Sequence, residues 1–99
     1  MITVQPALES LTILIAEDSA ADRMLLSSIV RRQGHQVLTA ANGAEAVEMF
    51  RQQRPQLVLM DAMMPVMDGF EAAAQIKALA GETLVPIIFL TSLTENQAL

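Results

Sequence analysis

Short apolar runs alternate along this chain with stretches whose apolar residues recur about four apart, and the two patterns take turns from Thr12 onward. Thr12-Ile-Leu-Ile-Ala16 is a compact, partly β-branched run, which predicts a strand. The segment after it places Leu25 and Ile29 four apart and predicts a helix, with Gly34 as its left-handed cap. Gln36 to Ala40 predicts a second strand, and Asn42-Gly43 a turn into an Ala- and Glu-rich helix over Ala44 to Gln53. Pro55 closes that helix. Gln56-Leu-Val-Leu-Met60 predicts a third strand, nearly continuous in apolar residues as when both faces are covered, with Asp61 at its carboxyl end. Asp68 and Glu71 flank Gly69 in a capping arrangement for a third helix running to about Ala80, and Gly81 lies just beyond. Pro86 to Leu90 predicts a fourth strand, and Ser92-Leu-Thr-Glu95 is a capping box opening another helix.

Strands alternating with helices imply an α/β architecture: a doubly wound parallel sheet, right-handed crossovers and helices on both faces. In such open sheets ligands gather outside the carboxyl ends of the strands, where the strand order reverses. Candidate chemistry is therefore sought at that edge.

Composition narrows the classes. The 99 residues, 53% apolar and 17% charged, suffice for one domain with a core and argue against compositional disorder. No apolar run approaches bilayer length, and residues 1–10 lack the basic and apolar regions of a signal peptide, so a cytoplasmic location without membrane insertion is expected. The absence of cysteine excludes disulfides, thiolate metal sites and Cys nucleophiles. A net charge of −5 with no basic cluster beyond Arg31-Arg32 argues against nucleic acid as a partner, and that pair suits a helix C-terminus. Seven Met and three Phe, with no Trp or Tyr, predict an aliphatic, adaptable core.

Three carboxylates fall at strand ends: Glu17 and Asp18 after the first strand, Asp61 after the third. Two adjacent acids after a strand are, on their own, a common helix-start feature. If the two strands are neighbours, however, three converging anions raise one another's pKa and call for a cation, and an all-oxygen donor set favours Mg2+. Pro65 and Gly69 fit an active-site loop after Asp61, in which proline fixes one backbone angle and glycine tolerates unusual conformations, although simple turn punctuation would use the same residues. The cluster Met60, Met63, Met64 and Met67 fits gap-filling around that loop better than a soft-metal site, and His35 fits a surface position.

Three segments together carry a resemblance: Ile-Leu-Ile-Ala-Glu17-Asp18, then Val-Leu-Met-Asp61-Ala-Met-Met-Pro65-Val-Met-Asp68-Gly69, then Pro86-Ile-Ile-Phe-Leu-Thr91-Ser92. In order and spacing they resemble the response regulator receiver domain of two-component signalling over residues 12–99, with 1–11 as an N-terminal leader. The resemblance implies a flavodoxin-like, CheY-like sheet of strand order 2-1-3-4-5. It implies that Asp61 is the phosphoacceptor and a metal ligand. Asp18 is then a direct Mg2+ ligand, Glu17 acts through metal-bound water, the backbone carbonyl of Met63 completes the protein ligands, and Thr91 is the switch hydroxyl. A sensor histidine kinase or phosphotransfer protein would donate the phosphoryl group, and an output domain or downstream protein would receive the signal. Such a domain is a phosphoacceptor more than an enzyme, with Mg2+-assisted self-phosphorylation and autodephosphorylation in its complete form.

The family pattern also has a lysine at the end of a fifth strand. The one lysine here, Lys77, falls in the third helix, and no basic residue follows it. The chain is accordingly expected to stop at the start of the fourth helix of a longer domain, with impaired phosphorylation or response. Pro86 to Leu90 would then be an exposed apolar edge open to self-association or partner binding. A phosphorylation-independent interaction module is the alternative function. An aspartyl phosphatase would want an acid where Met63 stands, and Glu17-Asp18 would repel the phosphate of a flavin.

Overall fold

The computed structural model describes residues 10–90. The elements are β1 (Thr12–Ala16), α1 (Ala20–Arg32), β2 (Gln36–Ala40), α2 (Gly43–Gln53), β3 (Leu57–Asp61), α3 (Gly69–Ala80) and β4 (Ile87–Leu90). The expected bounds shift by one residue at three starts, because α2 takes Gly43 as its first residue, while β3 and β4 begin after Gln56 and Pro86. Proline lacks the N–H that a ladder position needs, which fits the start of β4 at Ile87. The expected helix opened by Ser92-Leu-Thr-Glu95 lies outside the described residues.

All three strand pairings are parallel, and the order is β2-β1-β3-β4. The chain steps from β1 to one side for β2, then returns across β1 to β3. With right-handed crossovers this reversal puts α1 on one face of the sheet and α2 and α3 together on the other. Residue alternation follows the same division: Leu14 and Ala16 of β1 join the core beneath α2 and α3, while Ile13 and Ile15 are buried outside that cluster.

The main core lies between the sheet and the α2–α3 pair, built from Leu14, Val58 and Met60 below and Val47, Phe50 and Ile76 above. Small residues on the helices, Ala46, Ala72 and Ala80, let the two approach closely. Phe50 is 1% exposed and is the largest fully buried side chain. Phe50→Ala is expected to cost about 3–5 kcal/mol of stability, read as a lower urea midpoint at unchanged slope.

Arg54 secures the far end of this layer. It caps α2 in the left-handed region at φ 49°, places its guanidinium 5.1 Å over the Phe50 ring and donates from Nη1 to the Leu79 carbonyl at 3.0 Å. Lys77 does a related job, its Nζ reaching the Val85 carbonyl at 3.1 Å and tying the last turn of α3 to the approach of β4.

The α1 face is thinner. Ser27 is buried and Arg23, Leu26 and Val30 are half-buried, whereas Leu25 and Ile29, whose spacing predicts the helix, face outward and are exposed. Among the described residues β2 and β4 are the sheet's two edges, and Ile88 and Phe89 of β4 are exposed, as expected of an apolar edge. His35 corrects the surface reading: it is half-buried and its Nδ1 accepts the Leu11 backbone N–H at 3.0 Å, holding the chain's entry to β1.

Candidate functional site

The strand order reverses between β1 and β3, which are hydrogen-bonded neighbours, and the acids stand at their carboxyl ends. Carboxylate oxygens of Glu17, Asp18 and Asp61 all lie within 4.8 Å of one another. Glu17 is buried, Asp61 half-buried and Asp18 exposed. Two like charges at that distance oppose each other by about 3–4 kcal/mol at an effective dielectric of about 20, and by less where solvent reaches Asp18.

Backbone donors hold two of the three acids. The Ser19 N–H donates to Glu17 Oε2 at 3.1 Å, and the Met63 N–H donates to Asp61 Oδ1 at 3.2 Å. The second bond pins Asp61 against rotation and leaves its other oxygen without a protein donor among the described residues. Ser19 also caps α1 by accepting from the Asp22 N–H at 3.2 Å, which fixes where the loop carrying Glu17 and Asp18 must end. Among the described residues no Lys or Arg forms an ion pair with these carboxylates. An all-oxygen set with excess negative charge at an open strand edge fits a hard divalent cation such as Mg2+.

Burial is the main cause that lifts the Glu17 pKa above its ordinary value, and the charges of Asp61 and Asp18 add to it against the opposing Ser19 hydrogen bond. The folded state thus keeps this proton over a range where the unfolded chain has lost it. Stability from Glu17 is present below the ordinary glutamate range and is lost as pH rises through the elevated folded value. Without divalent cations, the melting temperature should therefore carry a downward slope across that window. Glu17→Gln should flatten the slope, and added Mg2+ should raise stability most at the high-pH end. Thermal melts across pH with EDTA or Mg2+ check this.

The loop from Asp61 to α3 is held by close backbone contacts. Val66 has φ 71°, unusual for a β-branched residue, and the Met67 N–H donates to the Pro65 carbonyl at 2.7 Å, so Pro65-Val66-Met67 forms a tight three-residue turn. The Gly43 N–H donates to the Met67 carbonyl at 3.0 Å, joining the loop to the start of α2. Asp68 caps α3 by accepting from the Glu71 N–H at 2.9 Å, while Glu71 turns to Gln75 and does not complete the reciprocal bond. Gly69 donates to the Ala62 carbonyl at 2.9 Å and is buried.

Gly69 is needed for space, which corrects the expectation of unusual backbone angles, since it is not among the glycines with positive φ. A Cβ there would overlap the Asp61 carbonyl oxygen and come within 2.9 Å of the Ala62 Cα. Gly43 meets the same limit, since its Cβ would overlap the Met67 carbonyl oxygen. Met60 is fully buried and Met64 and Met67 pack on the core, while Met63 is 65% exposed.

Glu17, Asp18 and Asp61 are thus brought together as expected, with Met63, Pro65 and Gly69 on the loop beside them. Thr91 lies outside the described residues. Arg23 escaped the reading of the sequence: its Nη1 donates to the Glu17 carbonyl at 2.7 Å and lies 3.5 Å from that of Asp18. Its place four residues after the helix-capping Ser19 was the available signal.

Comparison with known proteins agrees with this geometry. The family model described as the response regulator receiver domain matches residues 13–99. Protein PilH of Pseudomonas aeruginosa is 40% identical over 80 residues, covering 81% of this chain and 66% of PilH. The transcriptional regulatory protein AfsQ1 of Streptomyces coelicolor is 39% identical over 85 residues, covering 86% of this chain and 36% of AfsQ1. The chain thus spans less than two thirds of the length of either relative. Among solved structures, the receiver domain of the sensor histidine kinase PA1611 from Pseudomonas aeruginosa, with a magnesium ion in its active-site cleft, aligns with TM-score 0.79 and 34% identity. That alignment covers 87% of this chain and 70% of the other.

Proposed function

The chain belongs to the response regulator receiver domain family, and from that premise we propose that it accepts a phosphoryl group on Asp61 and acts as a signalling switch. The observation that carries this reading is the meeting of Glu17, Asp18 and Asp61 at the reversal of strand order, with Asp61 held by the Met63 N–H. Asp61 is the nucleophile: a carboxylate oxygen attacks phosphorus, a P–O bond to Asp61 forms, and the P–N bond of a phosphohistidine or the P–O bond of acetyl phosphate breaks. The leaving imidazole or acetate takes the bonding electron pair. Asp18, Asp61 and the main-chain carbonyl of Met63 would hold Mg2+ directly, and Glu17 would do so through metal-bound water. When bound, Mg2+ neutralises phosphoryl charge and helps position the transferring group.

The remaining residues orient and restrain. Pro65 and Gly69 hold the loop that presents Met63, and the Ser19 N–H keeps the Glu17 carboxylate directed at the site. Thr91, which follows Leu90 in the chain, is the switch hydroxyl. The donor is a sensor histidine kinase or phosphotransfer protein, and the receiver of the signal is an output domain or separate protein. Residues 12–99 belong to the receiver domain and work in the cytoplasm as an acceptor, and Mg2+-assisted self-phosphorylation and autodephosphorylation belong to that domain in its complete form. No helix of the described residues is long and apolar enough to cross a membrane.

Intact mass after incubation with acetyl phosphate and Mg2+ tests this reading. One added phosphoryl group, absent when EDTA replaces Mg2+, is expected. An unchanged mass under saturating donor and Mg2+ would contradict it and favour a phosphorylation-independent interaction module.

A further inference from the structure

We infer that Arg23 is a positioning residue for the cation site, acting through the main chain of the loop that carries Glu17 and Asp18. This rests on the reading of the acidic cluster as a divalent-cation site. The half-buried Arg23 donates from Nη1 to the Glu17 carbonyl at 2.7 Å, with the Asp18 carbonyl at 3.5 Å. Glu17 is the first residue beyond β1, and among the described residues no strand N–H donates to its carbonyl, although its own N–H still bonds the Ala40 carbonyl at 3.0 Å. A charge-assisted bond from the guanidinium therefore fixes the peptide at which the chain leaves the sheet.

What Arg23 does not touch is equally informative. Among the described residues it makes no ion pair with Glu17, Asp18 or Asp61. A cation beside three carboxylates would compete with a metal ion if it paired with them. By spending its donor on carbonyl oxygens, Arg23 tightens the loop and leaves the carboxylates free. The main chain from which this side chain extends is held within its own helix: the Arg23 N–H bonds the Ser19 carbonyl at 2.9 Å, and the buried Ser27 hydroxyl donates to the Arg23 carbonyl at 2.7 Å.

The sign of the effect separates positioning from simple charge. Removing a positive group near an anionic site should by Coulomb's law alone strengthen cation binding. Removing a group that holds the ligands in place should weaken it, and supporting contacts of this kind are commonly worth about 10–100-fold in metal affinity.

Mn2+ titration of the whole chain, followed by electron paramagnetic resonance of the free ion, provides the test, with folding checked by circular dichroism. Arg23→Met is expected to weaken Mn2+ binding about tenfold or more, and Arg23→Lys to recover part of the loss. Gly34→Ala, beyond the far end of α1 and with nothing within 4 Å of an added Cβ, should lower the melting temperature but leave Mn2+ affinity unchanged. Unchanged or tighter binding in both Arg23 variants would overturn the inference while leaving the site intact, and if Arg23→Met does not fold, Arg23→Lys alone decides by the same reading. A wild-type chain that binds no Mn2+ would overturn the reading of the acidic cluster itself, and the role of Arg23 with it.

Discussion

Gly69→Ala is expected to lower stability by about 2–4 kcal/mol and to disorder the site, although it adds a single methyl group to the first turn of a helix. Alanine is the better helix former, so an exposed glycine in a helix would gain from the change. Here the added carbon would meet main-chain atoms, the Asp61 carbonyl oxygen and the Ala62 Cα at 2.9 Å, and backbone cannot rotate aside as a side chain can. Relief requires either withdrawal of the first turn of α3, at the cost of the 2.9 Å bond to the Ala62 carbonyl, or displacement of the end of β3. Both move Asp61. Gly34→Ala provides the comparison, since that position has φ 95° and nothing within 4 Å of an added Cβ. Its cost should be conformational and about 1 kcal/mol, with no effect on the acids. Chemical denaturation of the two variants, each with and without Mg2+, checks the contrast. The Mg2+-dependent gain should survive in Gly34→Ala and largely vanish in Gly69→Ala.

Asp61→Asn should abolish phosphoryl uptake and at the same time stabilise the domain in the absence of divalent cations. The amide keeps the shape and an acceptor oxygen for the Met63 N–H but is no longer a carboxylate nucleophile. It also removes one of three crowded negative charges. Asp61 contributes to raising the Glu17 pKa, so that shift should shrink in the variant while its larger cause, burial, persists. The two effects have opposite signs, so loss of uptake with raised metal-free stability cannot be ascribed to a damaged fold. Intact mass with acetyl phosphate and thermal melts in EDTA read the two halves.

Much of this arrangement was legible along the chain because it depends on local pattern. The apolar runs of β1 and β3 are short and β-branched or continuous, Asn42 and Asp68 cap helices by accepting from N–H groups three residues on, and Gly34 ends α1. The three acids were legible as a site because alternating strands and helices bring successive strand ends to one edge. The missed features depend on which atoms the fold brings into contact, whether from near or far along the chain. Gly43 and Gly69 are required by carbonyl groups that approach from the β3–α3 loop and from β3, and no local rule reveals a neighbour that close. The positive φ of Val66 runs against the preference of its side chain and is sustained by the bonds around it. His35 is drawn inward by the Leu11 N–H, 24 positions earlier. Arg23 reaches backward over one helical turn to carbonyl groups that become accessible because β1 ends before them.

The α1 face shows the same boundary between pattern and packing. Leu25 and Ile29 have helical spacing and do lie in a helix, yet the side that meets the sheet is that of Leu26, Ser27 and Val30. Periodicity identified the element, while the direction of the crossover determined its inward side.

The assignment of the phosphoryl group to Asp61 is tested most directly by trapping it where it forms. Borohydride reduces an aspartyl phosphate to homoserine, so the chain treated with acetyl phosphate and Mg2+, then with borohydride, and digested for peptide mass spectrometry should carry homoserine at position 61. Reduction at Glu17 or Asp18, or a phosphoryl group that resists borohydride and resides on a hydroxyl, would contradict the assignment.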